Sequence, residues 1–143
     1  MANVSVRGAS NGDAAAIASL MTQLGYPSTP SQMQPRLARF LLHPEYGAIV
    51  AEMSEDVVGV VLLHIEFNLE YDAPYVRVMG LVVDERRRGE GLGTLLMQHA
   101  ERWCAERGAD RVVLTSASRR TAAHDFYRAI GYETTGVRFG KRL

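Results

Sequence analysis

Leu81-Val82-Val83-Asp84-Glu85-Arg86-Arg87-Arg88-Gly89-Glu90-Gly91-Leu92-Gly93-Thr94-Leu95-Leu96 is the stretch on which the fold turns. An apolar strand runs into a turn with glycine at three alternate positions, and the turn runs into a helix. Helix N-termini hold unpaired N–H groups and a partial positive charge, so they attract phosphate. Glycine lets the backbone approach an anion in dihedrals other residues avoid. Arg86, Arg87 and Arg88 add charge just before the turn. These features predict a pyrophosphate site. A dinucleotide fingerprint needs G-x-G-x-x-G. Here its last glycine would fall on Thr94 or on Leu96, so it fails. A P-loop needs Gly-Lys-Ser/Thr, and no lysine is near.

Upstream, Val4 and Val6 alternate with polar residues and predict a short strand. Asn11-Gly12-Asp13 reads as a turn with Asp13 as helix N-cap. Ala16, Ile17, Leu20, Met21 and Leu24 recur at helical spacing until Gly25. Pro27 and Pro30 frame a loop before a second helix over 31–42. Residues 47–53 and 57–66 predict antiparallel strands joined by Ser54-Glu55-Asp56. Phe67 to Pro74 reads as an exposed loop, and 75–83 as the strand that enters the glycine turn. Downstream, Leu92, Leu95, Leu96, His99 and Trp103 share one helix face, with Gly108 as C-cap. A buried strand over 111–116, a helix over 120–130 stopping at Gly131, and a last strand from Tyr132 to Arg138 follow. The order β-α-α-β-β-β-α-β-α-β predicts an α/β (α+β) protein: a mixed central sheet flanked by helices, in one domain over 1–143.

Composition narrows the function. The 143 residues are 47% hydrophobic and 22% charged, ordinary for a globular chain. Sixteen basic residues balance sixteen acidic ones, so no global field points to nucleic acid or membrane. Lys141 is the only lysine, which leaves phosphate contacts to arginine and backbone amides. The single cysteine, Cys104, excludes an internal disulfide framework and a multi-cysteine zinc site. No signal-peptide core is seen, and no apolar run nears the ~18 residues of a membrane span. The expectation is a cytoplasmic protein. His99, His124, Trp103 and Cys104 read as structural.

Arg88-Gly89-Glu90-Gly91-Leu92-Gly93, an Arg-x-x-Gly-x-Gly pattern, resembles the coenzyme A signature of the GNAT superfamily of acetyl-CoA-dependent N-acetyltransferases. Ala122-Ala123-His124-Asp125-Phe126-Tyr127-Arg128-Ala129-Ile130-Gly131-Tyr132 is similar to that superfamily's Ala-x-x-Phe-Tyr motif followed by Gly-Tyr. The resemblance covers roughly residues 46–138. It implies an acetyl-CoA-dependent enzyme without a metal. By position, it implies that the amides of Gly89, Glu90, Gly91, Leu92, Gly93 and Thr94 hold the pyrophosphate, with Arg88 nearby. It implies that Leu81-Val82-Val83 lies along the pantetheine arm, pairing through Leu81 and Val83. The Leu81 N–H would polarise the thioester carbonyl, an oxyanion-type role, and Tyr127 would protonate the departing thiolate. Two positions depart from the pattern. Arg120 stands where many relatives have asparagine at the cofactor, so its contact would differ, and Met79 replaces a common glutamate on the strand beside the acetyl group.

The acceptor expected is a primary amine on a small molecule. The closing residues, Tyr132 to Leu143, look similar to aminoalkylphosphonate and aminoglycoside acetyltransferases. A protein N-terminus or lysine as acceptor, and a non-catalytic coenzyme A-binding regulatory module, remain alternatives. Many relatives are dimers, so a homodimer is possible. Glu66, Glu70 and Asp72, with Phe67, Tyr71 and Tyr75, would draw a cationic amine. Glu66, at the strand end, is the first choice for general base, and His64 the second.

Overall fold

A computed structural model describes residues 3–143. The chain divides after Val113 into two compact units. The first carries β1 (Val4–Gly8), α1 (Ala14–Leu24), α2 (Pro30–Leu42), β2 (Tyr46–Met53), β3 (Asp56–Glu66), β4 (Tyr75–Val83) and α3 (Leu92–Glu106). β5 (Val112–Leu114) straddles the division, and α4 (Thr121–Ala129) belongs to the second unit. The strands lie in the order β1-β2-β3-β4-β5, the mixed sheet flanked by helices that the sequence predicts.

Period-two alternation sorts the sheet's two faces. Val50, Val60 and Val82 sit in register on β2, β3 and β4. They pack against Ile17 and Leu20 of α1 and Met33 and Leu37 of α2. Burying each large apolar side chain of this row contributes about 1.5–3 kcal/mol. On the opposite face α3 comes close because two glycines make room. A Cβ at Gly59 would lie 2.9 Å from the Leu96 side chain, and one at Gly47 would lie 2.7 Å from the Trp103 indole. Ser54 and Glu55 turn β2 into β3 at φ 50° and 68°. This is a two-residue hairpin turn of the twist-matched kind, made without glycine.

β3 and β4 pair with one irregularity that matters for the site. Leu62 faces Gly80, but Leu63 faces Val78, so Met79 is the extra residue of a β-bulge. Bulges re-aim side chains and locally free the strand from its ladder. Met79 is 49% exposed.

Four expectations are corrected. Asp13 does precede α1, but its carboxylate makes no cap bond to that helix. It accepts from Arg7 Nη1 and Nη2 at 2.8 and 3.0 Å and from the Ser10 N–H at 2.8 Å, because Arg7 reaches it from β1. The buried face of α3 is Leu92, Leu96, Met97, Ala100 and Cys104, and Leu95, His99 and Trp103 are only half-buried. Packing against the sheet turned the helix by one position, which periodicity alone does not resolve. β5 is shorter than expected and half-buried along its length. The last strand does not form: residues 133–143 are exposed and carry no regular structure. A strand exists only through a ladder partner. The alternating pattern there is interrupted by Gly136 and Gly140, and nothing in the second unit pairs with it.

Candidate active site

The turn between β4 and α3 is held rigidly from behind. The Asp84 N–H donates to the Val58 carbonyl at 2.8 Å, and the Glu85 N–H to Gln23 Oε1 of α1 at 2.9 Å. Asp84 is buried, and it accepts from Arg86 through Nη2 at 2.8 Å and the backbone N–H at 3.0 Å. The Arg86 side chain, then its N–H, hold the carboxyl at about 2, so it stays ionised. The arginine run is thereby divided. Arg86 braces the turn, and Arg87 and Arg88 have no carboxylate partner among the described residues.

Gly89 and Gly91 both stand at φ 81°, in the left-handed region that favours glycine. Gly91 is the N-cap of α3 and offers no side chain to the helix end. The first backbone bond is Leu95 N–H to the Gly91 carbonyl at 3.1 Å. The amides of Leu92, Gly93 and Thr94 therefore have no partner inside the helix. A Cβ built at Gly89 or Gly91 meets nothing within 4 Å. The mouth of the turn is open, and its donors suit a pyrophosphate, such as that of coenzyme A.

Next to β5 the Val76 N–H of β4 donates to the Arg111 carbonyl at 3.1 Å. Three residues of β5 do not accompany nine of β4. Leu81, Val82 and Val83 pair with Val61, Val60 and Gly59 of β3 on one side. Leu81 and Val83 are half-buried there.

Glu66 is more heavily engaged than its sequence context suggests. Arg77 of β4 donates to both its oxygens, Nε to Oε1 at 2.7 Å and Nη2 to Oε2 at 3.1 Å. Tyr75 stands directly opposite it across the strands. Arg77 first, and Tyr75 with His64 after it, push the carboxyl down to about 2. A carboxylate so stabilised is a poor proton acceptor, which tells against the first choice of base. The loop after it is tied as well. Asn68 Oδ1 accepts the N–H groups of Glu70 and Tyr71 at 2.9 and 2.8 Å, and the Arg111 guanidinium lies 3.5 Å from the centre of the Tyr71 ring. Glu70 and Asp72 remain exposed.

The second unit places Arg120 at the N-cap of α4, the helix that carries Tyr127. Tyr127 is half-buried, with its ring edge-on to Phe126 at 5.2 Å and to Tyr132 at 6.0 Å. Burial raises its hydroxyl above the usual tyrosine value, and the Arg120 charge opposes this. Near neutral pH the hydroxyl carries its proton, as a general acid must. Gly131, at φ 100°, ends the helix, and the Tyr132 N–H returns to the Tyr127 carbonyl at 2.9 Å. His124 Nε2 lies 2.9 Å from the Ala117 carbonyl, which makes it a structural donor. Burial pushes the Cys104 thiol up to about 11, in keeping with a core residue.

Sequence reasoning missed Arg77 and Tyr46. Arg77 pairs with a residue eleven positions back, and Tyr46 stacks on His64 at 4.4 Å from a third strand. Counting outward from the hairpin turns gives the only sequence signal for either.

Comparison with known proteins agrees with this geometry. Residues 14–132 match the "Acetyltransferase (GNAT) family". Aminoalkylphosphonate N-acetyltransferase of Salmonella typhimurium is 33% identical over 103 residues, which cover 72% of this chain and 67% of that protein. A GNAT family acetyltransferase from Staphylococcus aureus has the same fold, with TM-score 0.85, 22% identity and all of both chains covered. So does an aminoglycoside N-acetyltransferase solved in complex with CoA, with TM-score 0.88, 17% identity, and 100% of this chain and 96% of that one covered. With the glycine turn, the bulged β4 and a family match over most of its length, the chain belongs to the GNAT family of acetyltransferases.

Proposed function

We propose that residues 1–143 act as one N-acetyltransferase domain that moves an acetyl group from acetyl-coenzyme A to a primary amine of a small molecule. The observation that carries this is the β4–α3 turn: two left-handed glycines, three amides without a partner inside the helix, and Arg87 and Arg88, which make no ion pair among the described residues. In this reading the amides of residues 89–94 and Arg88 hold the pyrophosphate, with Arg120 as a further contact. Leu81-Val82-Val83 lies beside the pantetheine arm. The Leu81 N–H stabilises charge on the thioester oxygen, and Tyr127 supplies the proton for the leaving thiolate. Acetyl-coenzyme A brings an activated thioester, and the chain's residues orient it. The names of the Salmonella relative and the aminoglycoside enzyme support a small amine as acceptor.

The exposed carboxylates of Glu70 and Asp72 favour a cationic acceptor. A screen of 1,5-diaminopentane, an aminoglycoside, 2-aminoethylphosphonate and a lysine peptide, read by release of free coenzyme A thiol, tests this. The first two are expected to react fastest. Replacing Glu70 and Asp72 together by lysine is expected to raise the KM for the amine about 10-fold, the low end of electrostatic steering, and to leave that for acetyl-coenzyme A unchanged. A preference for the phosphonate or the peptide, or an unchanged amine KM, refutes the cationic small-molecule acceptor.

A further inference from the structure

The polar end of the β3–β4 hairpin forms a cluster that the sequence pattern does not account for. His64 stands on β3 between two cross-strand neighbours, Tyr46 on β2 and Arg77 on β4. The Tyr46 ring stacks on its imidazole at 4.4 Å and 24°. Tyr46 is backed in turn by Phe40 of α2 at 4.6 Å. His64 Nδ1 lies 3.4 Å from Glu66 Oε1, and Arg77 grips both oxygens of that same carboxylate. The His64 side chain is 27% exposed.

This arrangement fixes a tautomer. An ionised carboxylate accepts hydrogen bonds and donates none. Arg77 keeps Glu66 ionised. The hydrogen between His64 and Glu66 must therefore sit on Nδ1, which leaves Nε2 as the free lone pair. His64 lies on the same strand as Val61, the cross-strand partner of Leu81, three residues away, roughly 10 Å on a strand that rises about 3.3 Å per residue. Met79 itself supplies no base.

We propose that His64 is the proton acceptor for the amine, with Glu66 and Arg77 as positioning residues that hold its ring and its tautomer. This deepens the acetyl-transfer reading and rests on it. The acceptor's ammonium gives one N–H proton to Nε2, relayed by a chain of waters across that span. The freed nitrogen lone pair bonds to the acetyl carbon, and the C–S bond breaks. The second proton shed by the nitrogen balances the one taken up by the thiolate, and His64 returns its own to solvent. No oxidant or reductant enters. The groups facing His64 are Glu66 beside it, Tyr46 on β2, and Arg77 and Tyr75 on β4. His43 and Glu45 lie in the turn before β2, with His43 packed against the far side of Tyr46 at 5.9 Å.

The test combines kinetics with a readout that needs no acceptor. With acetyl-coenzyme A and 1,5-diaminopentane, His64→Gln is expected to lower kcat/KM for the amine about 100-fold, the low end for a positioned acid–base group. Acetyl-coenzyme A affinity by calorimetry should be unchanged. His43→Gln should behave as wild type. Long-range 1H–15N spectra of the whole protein should show His64 as the Nδ1–H tautomer, and Glu66→Gln should convert it to a mixture. Wild-type kcat/KM in His64→Gln, or an Nε2–H tautomer, overturns the proposal. Should His64→Gln lose cofactor affinity, the spectra of wild type and Glu66→Gln decide alone. Absence of thiol release with every amine by the wild type overturns the acetyl-transfer reading itself. Release with an unaffected variant overturns only the role of His64.

Discussion

Gly91→Val is expected to weaken acetyl-coenzyme A binding by more than about 100-fold while the protein still folds. Gly91 sits at φ 81° as the N-cap of α3. A β-branched residue pays about 1–2 kcal/mol or more in that region, and it escapes by rotating the turn. Rotation carries the amides of Leu92, Gly93 and Thr94 away from the direction in which they now converge. The two methyls would also stand in space that is open in front of Gly91, where an added Cβ meets nothing within 4 Å. That same openness is why folding survives, since no protein atom is struck. The core contacts of α3, from Leu92 to Cys104, are untouched. Calorimetric titration of the folded variant checks this, and unchanged affinity would mean the pyrophosphate binds elsewhere.

Tyr127→Phe is expected to lower turnover roughly 10–1000-fold with little change in acetyl-coenzyme A affinity. A positioned acid contributes about 10²–10⁴. A thiolate leaves fairly well without help, so the lower part of that range applies. The ring's edge contacts with Phe126 and Tyr132 are kept by phenylalanine, and with them the packing of the second unit. The hydroxyl alone is lost. Steady-state kinetics with the amine found in the screen measure the effect. Wild-type turnover would return Tyr127 to a purely packing role.

Local features of this fold were legible in the sequence, and long-range ones were not. The bounds of β4 were read correctly because Pro74 and the glycine turn punctuate both ends. The left-handed Gly89 and Gly91 and the helix stop at Gly131 are each decided within a few residues, whereas the expected turn Ser54-Glu55-Asp56 is one residue too long, because Asp56 already pairs in β3. The rotation of α3 was not legible, because two overlapping apolar stripes satisfy the same helical period and the sheet's glycines choose between them. Nor was the absence of a last strand, since alternation shows what a segment can pair as and not whether a partner exists. The candidate site divides in the same way. The phosphate-binding turn is contiguous in sequence and was found there. The setting of Glu66 depends on strand register, which brings Arg77 and His64 to it, and on the bulge at Met79 that shifts that register by one. Read without Arg77, Glu66 looked like a base. Paired with Arg77, it is a carboxylate held ionised.

The central claim is that the turn from Arg88 to Thr94 holds acetyl-coenzyme A. Thermal melting of the unmodified protein with acetyl-coenzyme A, NAD and ATP, each in turn, tests it most directly. A ligand present at about 100 times its dissociation constant stabilises the fold by about 2.7 kcal/mol. For a chain of this size that is a rise of several degrees in Tm, at roughly 2–4 °C per kcal/mol. That rise is expected with acetyl-coenzyme A, and a smaller one, or none, with either nucleotide. No shift with acetyl-coenzyme A, or a larger shift with NAD or ATP, would contradict it.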